Sequence, residues 1–285
     1  MLFFACCFIK IRLVKFSIVT ISYNQGKFIE ETINSVLSQA GVEVEYIVVD
    51  AGSTDGSRDI IKRYDDKIHK IVFEPDKGPA DGLNKGFALA TGDVLGYLNA
   101  DDILLPGALK QVCEVFKKNQ HVQVVSGHCF IIDEKGNRLH KKFSNKLTRS
   151  SFSNKRYAIG YSILVQQSTF FKKELFDTVN GFDIDFKVMW DAALTVDFIR
   201  AKAQFKVVNA YWSCFRVYPE SISGSGTQAS ERGKLEYQML QKRLGYINVV
   251  PAWQYPYYWL IGWLLEPVHL IRRIINGIQS PKRII

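Results

Sequence analysis

The sequence lacks the short motifs that identify the most common nucleotide-binding and zinc-binding folds. None of its 285 residues form a GxxxxGK[ST] loop, and no GxGxxG fingerprint follows a predicted strand, so those two phosphate-binding folds are disfavoured. Its five cysteines are odd in number, and their spacing fits neither a zinc site nor a disulfide framework. We therefore expect reduced, buried thiols in a cytoplasmic protein.

Signals of secretion and of nucleic-acid binding are also missing. The apolar start, residues 1–15, has no basic n-region and no A-x-A site, so a buried extra strand or a membrane-touching tail is favoured over a signal peptide. Thirty-seven Lys and Arg against 28 Asp and Glu give a formal charge of +9, which suits nucleotide phosphates, a membrane surface or nucleic acid. No helix-turn-helix, zinc-finger or stacked aromatic sheet motif is present, so we expect no nucleic-acid partner.

The chain does contain a regular alternation of apolar runs and amphipathic stretches. FSIVTIS, EYIVVD, KIVFE and DVLGYL are typical of strands, and each is followed by a segment with helical spacing of apolar residues. The third of these helices is expected over LNKGFALA, after a loop DKGPADG, and Pro106 is expected to open the fourth. This order predicts an α/β fold with a parallel sheet covered on both faces.

The second half of the chain has a less regular pattern. A hairpin with its turn at 135–137 is predicted first, and a basic loop over 141–160 follows. We then expect a strand over Ile163–Phe171 and a helix over Phe186–Ala201. FKVVNAYWSCFRV is typical of a further strand.

Polar clusters stand where the first four strands end. They are Ser22–Asn24, Asp50, Asp76–Asp81 and Asn99–Asp102. In parallel sheets ligands bind outside the carboxyl ends of the strands, so these clusters are predicted to share one edge. Adjacent carboxylates there need donors or a cation, and Mg²⁺ or Mn²⁺ commonly bridges carboxylates to phosphates. A metal–nucleotide site is one interpretation, and a surface turn that caps the next helix is the other.

Five segments in a fixed order carry a family resemblance: FSIVTISYNQ, VVDAGSTDGS, DKGPADGLNKG, TGDVLGYLNADD and GFDIDFKVMWDAALTVDF. Together they resemble the family 2 inverting glycosyltransferases of the GT-A fold, of the type that builds bacterial cell-surface polysaccharide. The resemblance implies a Rossmann-like nucleotide-binding half with a mixed sheet, an acceptor-binding half and a C-terminal helical tail. The implied boundaries are 1–15 for an N-terminal extension, 16–223 for the catalytic domain and 224–285 for the tail.

The resemblance also assigns roles on the donor side. Ser22 and Tyr23 match the point where the first strand meets the nucleotide, and Asp50 matches the carboxylate that holds the base. Asp81 and Lys85 match two further nucleotide-side positions.

YLNADD occupies the DXD position of the family. Asn99 replaces the first acid and offers the nucleotide an amide without charge. Asp101 is the first candidate for a metal ligand and Asp102 the second, with Mn²⁺ or Mg²⁺ as the expected cofactor.

Asp191 matches the catalytic base of the family. It would take the proton of the acceptor hydroxyl as that oxygen attacks the anomeric carbon, while the metal and nearby donors stabilise the leaving diphosphate. Neighbouring alternatives are Asp183, Asp185 and Asp197. Three further residues match positions on the acceptor or phosphate side: Gln167, Arg216 and Ser223.

The substrates implied are a nucleotide-sugar donor, with UDP as the expected nucleotide, and a glycan or lipid-linked oligosaccharide acceptor. The enzyme would be a metal-dependent hexosyl- or N-acetylhexosaminyltransferase. Residues 250–285 are aromatic and then basic, and their apolar run is too short and interrupted to span a bilayer. This pattern suits an interfacial helix on an anionic membrane, or a helix packed on protein. We therefore expect a cytoplasmic protein that is peripheral to the inner face of the cytoplasmic membrane.

Two other classes of protein stay open. A sugar-1-phosphate nucleotidyltransferase would carry a glycine-rich basic loop after the first strand, where SYNQGKF has one glycine and one lysine. A non-catalytic nucleotide-sugar-binding scaffold at the membrane is compatible with Ala51 and Asn99, since both replace acids found in many family members.

Overall fold

The computed structural model describes most of the chain. It covers residues 14–144, 164–225 and 230–245, together with positions 256, 257, 260 and 271. Most of the predicted N-terminal extension, most of the predicted basic loop and nearly all of 250–285 lie outside the described residues. Within the described part, no helix has the length and apolarity needed to cross a membrane.

The described residues form one mixed sheet of nine strands. Its order is β3-β2-β1-β4-β8-β6-β9-β5, and β7 pairs with β6. The strands are β1 Lys15–Ser22, β2 Glu43–Asp50, β3 Lys70–Phe73, β4 Val94–Asn99, β5 Ile103–Leu104, β6 Val124–Ile132, β7 Arg138–Lys142, β8 Thr169–Lys172 and β9 Phe205–Arg216.

Helices cover both faces of the sheet. Apolar residues at helical spacing explain their packing, as in the fourth helix, where Leu109, Val112, Cys113 and Phe116 are all buried. The helices are α1 Ile29–Leu37, α2 Ser57–Lys62, α3 Pro79–Ala88, α4 Ala108–Lys118, α5 Lys173–Thr178, α6 Trp190–Arg200 and α7 Glu231–Arg243, with a 3-10 helix at Gln166–Ser168.

The first half of the sheet is parallel and brings the polar strand ends together. Ser22 lies opposite Asp50 across the β1–β2 pair, and Ile21 lies opposite Asn99 across the β1–β4 pair. The predicted convergence of the strand ends on one edge is therefore confirmed for these strands. The α/β class with a mixed sheet is also confirmed, because β8 runs antiparallel to both β4 and β6.

Two apolar clusters form the core on the two sides of the sheet. Successive residues of β1 point to opposite sides, so Ile18 belongs to the cluster under α1 and α4, and Val19 to the cluster under α3 and α6. Helix α3 approaches β1 so closely that a Cβ atom on Gly86 would lie 2.5 Å from Cγ1 of Val19. A glycine is therefore required at this helix–strand contact.

Four predicted elements differ from the structure. Helix α4 begins at Ala108, two residues after the proline that was expected to open it. Helix α3 begins at Pro79, inside the predicted loop, because proline fits the first turn of a helix. The strand predicted over Ile163–Phe171 is reduced to β8 after a 3-10 turn, in which Gln166 donates its side-chain amide to the Tyr97 carbonyl. The helix predicted from Phe186 begins only at Trp190, because residues 187–189 use their N–H groups to bind a side chain from α7.

Candidate active site

A cavity of about 690 Å³ lies at the carboxyl ends of the parallel strands. Its volume is typical of small-ligand sites, and its position is the one expected for ligands of parallel α/β sheets. The residues that line it are Ile21, Ser22, Tyr23, Gln25, Ala51, Asp76, Gly78, Pro79, Asn99, Ala100, Asp101, Trp190, Phe215, Tyr218, Glu220, Ser221, Ile222 and Ser223.

The loops after β1 and β2 are hydrogen-bonded to each other below Ser22 and Tyr23. The Asn24 N–H donates to Ser53 Oγ at 2.8 Å, and the Thr54 N–H donates to Asn24 Oδ1 at 2.9 Å. Asn24 has a φ of 51°, a left-handed conformation that asparagine tolerates better than most residues. These bonds hold together the rim of the cavity that contains Ser22 and Tyr23. Ser22 is buried there, whereas Tyr23 is exposed, and both residues line the cavity.

Asp50, the predicted base-binding residue, lies beneath this rim and is fully buried. Its Oδ1 accepts from the N–H groups of Gly52 and Ser53 and from Arg58 Nε at 2.7 Å. Burial acts to raise the pKa of this carboxyl, but the hydrogen bonds from Ser53 and Arg58 outweigh it and lower the pKa. Asp50 thus shapes the turn that presents its neighbour Ala51 to the cavity.

Asp81 and Lys85, both in α3, form hydrogen bonds to the loop that precedes this helix. Asp81 Oδ2 accepts the Lys77 N–H at 2.8 Å, and Lys85 Nζ donates to the Pro75 carbonyl at 2.6 Å. The residue that this loop places in the cavity lining is Asp76. Burial raises the pKa of Asp76, and the nearby Asp81 carboxylate adds to that effect. The sequence indicated this strand end as polar but did not single out Asp76.

The YLNADD turn divides its polar residues between the cavity and the interior. Asn99 and Asp101 line the cavity, and Asp101 Oδ2 accepts the Tyr218 hydroxyl at 3.2 Å. Asp102 is fully buried behind them. Its Oδ1 accepts the Arg216 N–H and its Oδ2 accepts Gln167 Nε2, both at 3.0 Å. Burial raises the pKa of both carboxyls, and that of Asp102 well above its ordinary value.

Three residues of the cavity lining carry buried polar atoms without a hydrogen-bond partner among the described residues. They are Ser22 Oγ, Asn99 Oδ1 and Trp190 Nε1. Such atoms are uncommon in folded proteins because each loses the hydrogen bond that water gave it. Their concentration around one cavity is the expected signature of a polar ligand site.

The cavity also fits a divalent cation of the kind that binds substrate phosphates. Asn99 Oδ1 and the Asp101 carboxylate are hard oxygen donors on the same wall, and the first of them has no partner among the described residues. No group of three or more His, Cys, Asp or Glu side chains forms a metal site in the described ranges. The two oxygen donors, Asn99 and Asp101, suit Mg²⁺ or Mn²⁺, which commonly takes one or two protein ligands and completes its shell with phosphates and water.

Arg216 stabilises the turn from behind. Its guanidinium, which is almost fully buried, donates to the backbone carbonyls of Asp101, Asp133 and Glu134 and pairs with the Glu31 carboxylate. It thus ties YLNADD to the β6–β7 turn and to α1. Of the residues predicted for the acceptor or phosphate side, Ser223 lines the cavity, whereas Arg216 and Gln167 hold Asp102 from the interior.

Asp191 lies in the first turn of α6, next to Trp190, which lines the cavity. Asp191 is half-buried. Burial raises the pKa of its carboxyl, while the Ala192 N–H and the Lys142 ammonium act to lower it. Lys142 Nζ lies 4.6 Å from the ring centre of Phe215, another residue of the lining.

The predicted alternatives to Asp191 face a different part of the surface. Asp183 and Asp197 both pair with Arg243 of α7 and line a second cavity of about 470 Å³. The exposed Asp185 uses its backbone carbonyl to accept from Arg232. Of the four candidates for the base, the structure brings only Asp191 beside a residue of the main cavity lining.

The mixed sheet and the polar cavity at its strand ends agree with the GT-A fold that the sequence predicts. The sequence profile of glycosyl transferase family 2 matches residues 17–179, more than half of the chain. The chain belongs to this family, which confirms both the predicted family and the predicted fold.

Curated relatives include enzymes named for glycan synthesis. The chain is 28% identical over 236 residues to the GalNAc(5)-diNAcBac-PP-undecaprenol beta-1,3-glucosyltransferase of Campylobacter jejuni, a match that covers 81% of this chain and 74% of the relative. It is 37% identical over 131 residues to an uncharacterized glycosyltransferase of Nostoc sp., covering 42% of this chain and 40% of the relative. It is also 42% identical over 89 residues to the putative teichuronic acid biosynthesis glycosyltransferase TuaG of Bacillus subtilis, covering 30% and 35%. The last two matches span less than half of those relatives.

Solved structures share the fold at low sequence identity. Staphylococcus aureus TarS 1–349 in complex with UDP has a TM-score of 0.57 and 20% identity, with 82% of this chain and 71% of that chain covered. The mannosyltransferase PcManGT from Pyrobaculum calidifontis, in complex with GDP-Man and Mn²⁺, has a TM-score of 0.57 and 16% identity, with 94% and 85% covered.

Proposed function

We propose that this glycosyltransferase is an inverting enzyme that moves a sugar from a nucleoside diphosphate sugar, with UDP as the nucleotide, to a glycan or lipid-linked acceptor. The single observation that carries the proposal is the set of unpartnered buried polar atoms around one cavity, on Ser22, Asn99 and Trp190. The name of the C. jejuni relative, which specifies an undecaprenol diphosphate-linked acceptor, supports the acceptor class. The UDP complex of TarS supports the choice of nucleotide.

The donor is expected to lie along the rim formed by the ends of β1, β2 and β4. Tyr23 is exposed and lines the cavity, and Asp76 is a further residue of the lining. Asn99 and Asp101 would hold Mn²⁺ or Mg²⁺ against the diphosphate. The cation would neutralise the negative charge that develops on the leaving nucleotide.

Asp191 is the general base of this proposal. In its ionised form the carboxylate accepts the proton of the acceptor hydroxyl, and that oxygen forms a bond to the anomeric carbon from the face opposite the diphosphate. The bond between the anomeric carbon and the diphosphate oxygen breaks in the same displacement, so the anomeric configuration inverts. Trp190, which precedes this carboxylate in the chain, lines the cavity.

Donor binding and catalysis can be tested in sequence. A thermal-shift screen of UDP-, GDP- and dTDP-sugars with Mn²⁺ or Mg²⁺ identifies the donor, since a ligand of the native state raises its stability. Turnover of that donor is then measured with a polyprenyl diphosphate-linked saccharide. Asp191→Asn should retain the donor-induced shift and lose about 10²-fold or more in kcat, the scale of general base catalysis. Asp185→Asn, at a nearby exposed carboxylate, is the matched control.

The outcomes separate the two leading functions. A variant Asp191→Asn with wild-type turnover would show that another group is the base. A wild-type protein that binds a nucleotide-sugar but turns over none would favour the non-catalytic binding role, which the alanine at position 51 and the amide of Asn99 keep open.

We also propose that residues 250–285 contact an anionic membrane. At the positions described there, Tyr257, Leu260 and Ile271 each expose more than half of their surface, as an interfacial segment requires. Deletion of 250–285 should abolish sedimentation with phosphatidylglycerol vesicles and leave the donor-induced thermal shift intact. Arg272→Gln combined with Arg273→Gln should weaken binding to these vesicles at moderate salt. Unchanged sedimentation of the deletion variant would contradict the proposal.

A further inference from the structure

Glu236, in the middle of α7, has no exposed surface and directs its carboxylate at the backbone just before Asp191. Its Oε1 accepts the Lys187 N–H at 2.8 Å, and its Oε2 accepts the N–H groups of Val188 and Met189, both at 2.9 Å. A fourth donor, Arg232 Nε, reaches Oε1 at 2.7 Å. Three consecutive peptide groups are thus bound by one side chain.

These bonds favour an ionised carboxylate in a buried place. Burial acts to raise the pKa of Glu236, but the bonds from Lys187, Arg232, Val188 and Met189 outweigh it and lower the pKa. The negative charge also lies at the N-terminus of α6, where the helix dipole stabilises it. The Met189 carbonyl in turn accepts the first hydrogen bond of α6, from Ala193. The position of the first turn of α6 therefore depends on the backbone that Glu236 holds.

The same segment reaches the donor side of the cavity. Lys187 donates through its side-chain ammonium to the Lys77 carbonyl, in the loop that carries Asp76. Its Cδ also packs against Gly78, at 3.3 Å from the position that a Cβ atom would occupy there. Residues 187–189 therefore connect α7 to the nucleotide side of the site.

We propose that Glu236 is a positioning residue for Asp191 and Trp190. By fixing the peptide groups of residues 187–189, it sets the start of α6 and so the distance between the Asp191 carboxylate and the reacting atoms. The inference rests on the proposed function of Asp191 as the general base. Displacement of a catalytic group by about 1 Å is enough to lower a rate by about 10²-fold.

The attachment of α7 to the protein does not depend on Glu236 alone. Arg243 pairs with Asp183 and Asp197, and Leu240 is buried in the apolar cluster under α6. A substitution at Arg243 therefore removes these two ion pairs and the contact of its guanidinium with the Phe186 ring, but none of the four hydrogen bonds to Glu236. This separates the docking of α7 from the positioning of Asp191.

The test combines kinetics with amide hydrogen exchange. Glu236→Gln replaces one acceptor oxygen with an amide NH₂ group, whose hydrogens would face the N–H donors. Glu231→Gln makes the same change at an exposed position of the same helix. We expect Glu236→Gln to lower kcat by about 10- to 100-fold and to change the Kd for UDP by less than about threefold. The amides of residues 187–189 should exchange at least about tenfold faster. Glu231→Gln and Arg243→Gln should keep wild-type kcat.

Each other result overturns the inference. A wild-type kcat in Glu236→Gln would contradict it. A parallel loss of kcat and of UDP affinity, with faster amide exchange throughout β1, β2 and β4, would also contradict it. If Glu236→Gln does not fold, exchange of the wild-type amides at 187–189 as fast as that of exposed loops also rejects it. If the wild-type chain transfers no sugar, the proposed function fails, and the role of Glu236 is then judged from hydrogen exchange alone. Unchanged exchange rates at residues 187–189 in Glu236→Gln would show that Glu236 does not hold this segment.

Discussion

Gln167 donates its side-chain amide to the carboxylate of Asp102 at 3.0 Å, behind the wall of the cavity. Both side chains are buried, and the other carboxylate oxygen accepts the Arg216 N–H. The second acid of the YLNADD turn thus joins the turn to β9 and to the 3-10 helix. The first acid, Asp101, remains in the cavity lining.

This arrangement predicts different consequences for two substitutions at Asp102. Asp102→Ala leaves two buried N–H donors unpaired and should lower the free energy of unfolding by about 2–4 kcal/mol. Asp102→Asn should lower the free energy of unfolding by less than about 1 kcal/mol. After the Gln167 amide rotates by half a turn, its Oε1, which has no partner among the described residues, can accept a hydrogen bond from the new amide. Urea unfolding measures both values. Equal losses for the two variants would contradict this explanation.

Metal-coupled donor binding should depend on Asp101 more than on Asp102. Asp101→Asn removes the one carboxylate of the turn that lines the cavity, so the Mn²⁺ concentration needed for the UDP-induced thermal shift should rise by about tenfold or more. Tyr218→Phe, which removes the hydroxyl that is bonded to Asp101 and to Gln25, should keep the shift and serves as the control. A greater Mn²⁺ requirement in Asp102→Asn than in Asp101→Asn would reverse this ranking.

The pH dependence of transfer should respond to Lys142. Burial raises the pKa of Asp191, and the Lys142 ammonium acts in the opposite direction. The general base that we propose must be ionised, so we expect activity to be lost as the pH falls through the pKa of Asp191. Lys142→Gln removes the lowering effect, raises this pKa and should shift the acid limb of the kcat/KM profile to higher pH.

Lys141→Gln provides the matched control for this shift. It makes the same change in charge on the neighbouring residue of β7, whose ammonium lies over the Tyr211 ring. The acid limb should stay at its wild-type pH in this variant. A shift of equal size in both variants would point to a general effect of net charge and not to a local one at Asp191.

Two glycines of α3 should respond differently to alanine. At Gly86 the new methyl group meets Val19 Cγ1 at 2.5 Å in the packed core, and the free energy of unfolding should fall by about 1–3 kcal/mol. At Gly82 the contact, at 2.6 Å, is with the Asp76 carboxylate, which lies at the end of a side chain and can move. Gly82→Ala should therefore weaken UDP binding more than it lowers stability, as calorimetry and urea unfolding would show.

The parallel half of the fold and its polar edge follow directly from the sequence. Apolar runs of strand length alternate with helical spacing, and each strand ends in polar residues, so the convergence of Ser22, Asp50 and Asn99 needed no further information. The order of the five segments quoted above was enough to predict the family. Local patterns sufficed here because each strand is followed by its own helix, and the topology is then nearly fixed.

The sequence did not predict which residue of each motif lines the cavity and which is buried behind it. Asp101 and Asp102 are adjacent and chemically identical, and only the pairing of β5 with β9 decides which of them meets Arg216. The contacts of Tyr218 and Glu236 were missed for the same reason, since both residues contact partners more than 40 positions away in the chain. Trp190 could have been noticed as the neighbour of Asp191.

The two-way bond between Asn84 and Phe182 affects how this enzyme could be recombined with its relatives. Asn84 Nδ2 donates to the Phe182 carbonyl at 2.8 Å, and Asn84 Oδ1 accepts the Phe182 N–H at 2.9 Å, so α3 and the segment before Asp191 are joined like a base pair. A chimera that joins residues 181–245 of this chain to the first half of another family member would keep both bonds only if that first half has an amide side chain at the position of Asn84. Crossover points chosen from the linear order alone would therefore separate two segments, 98 positions apart, that have to match each other.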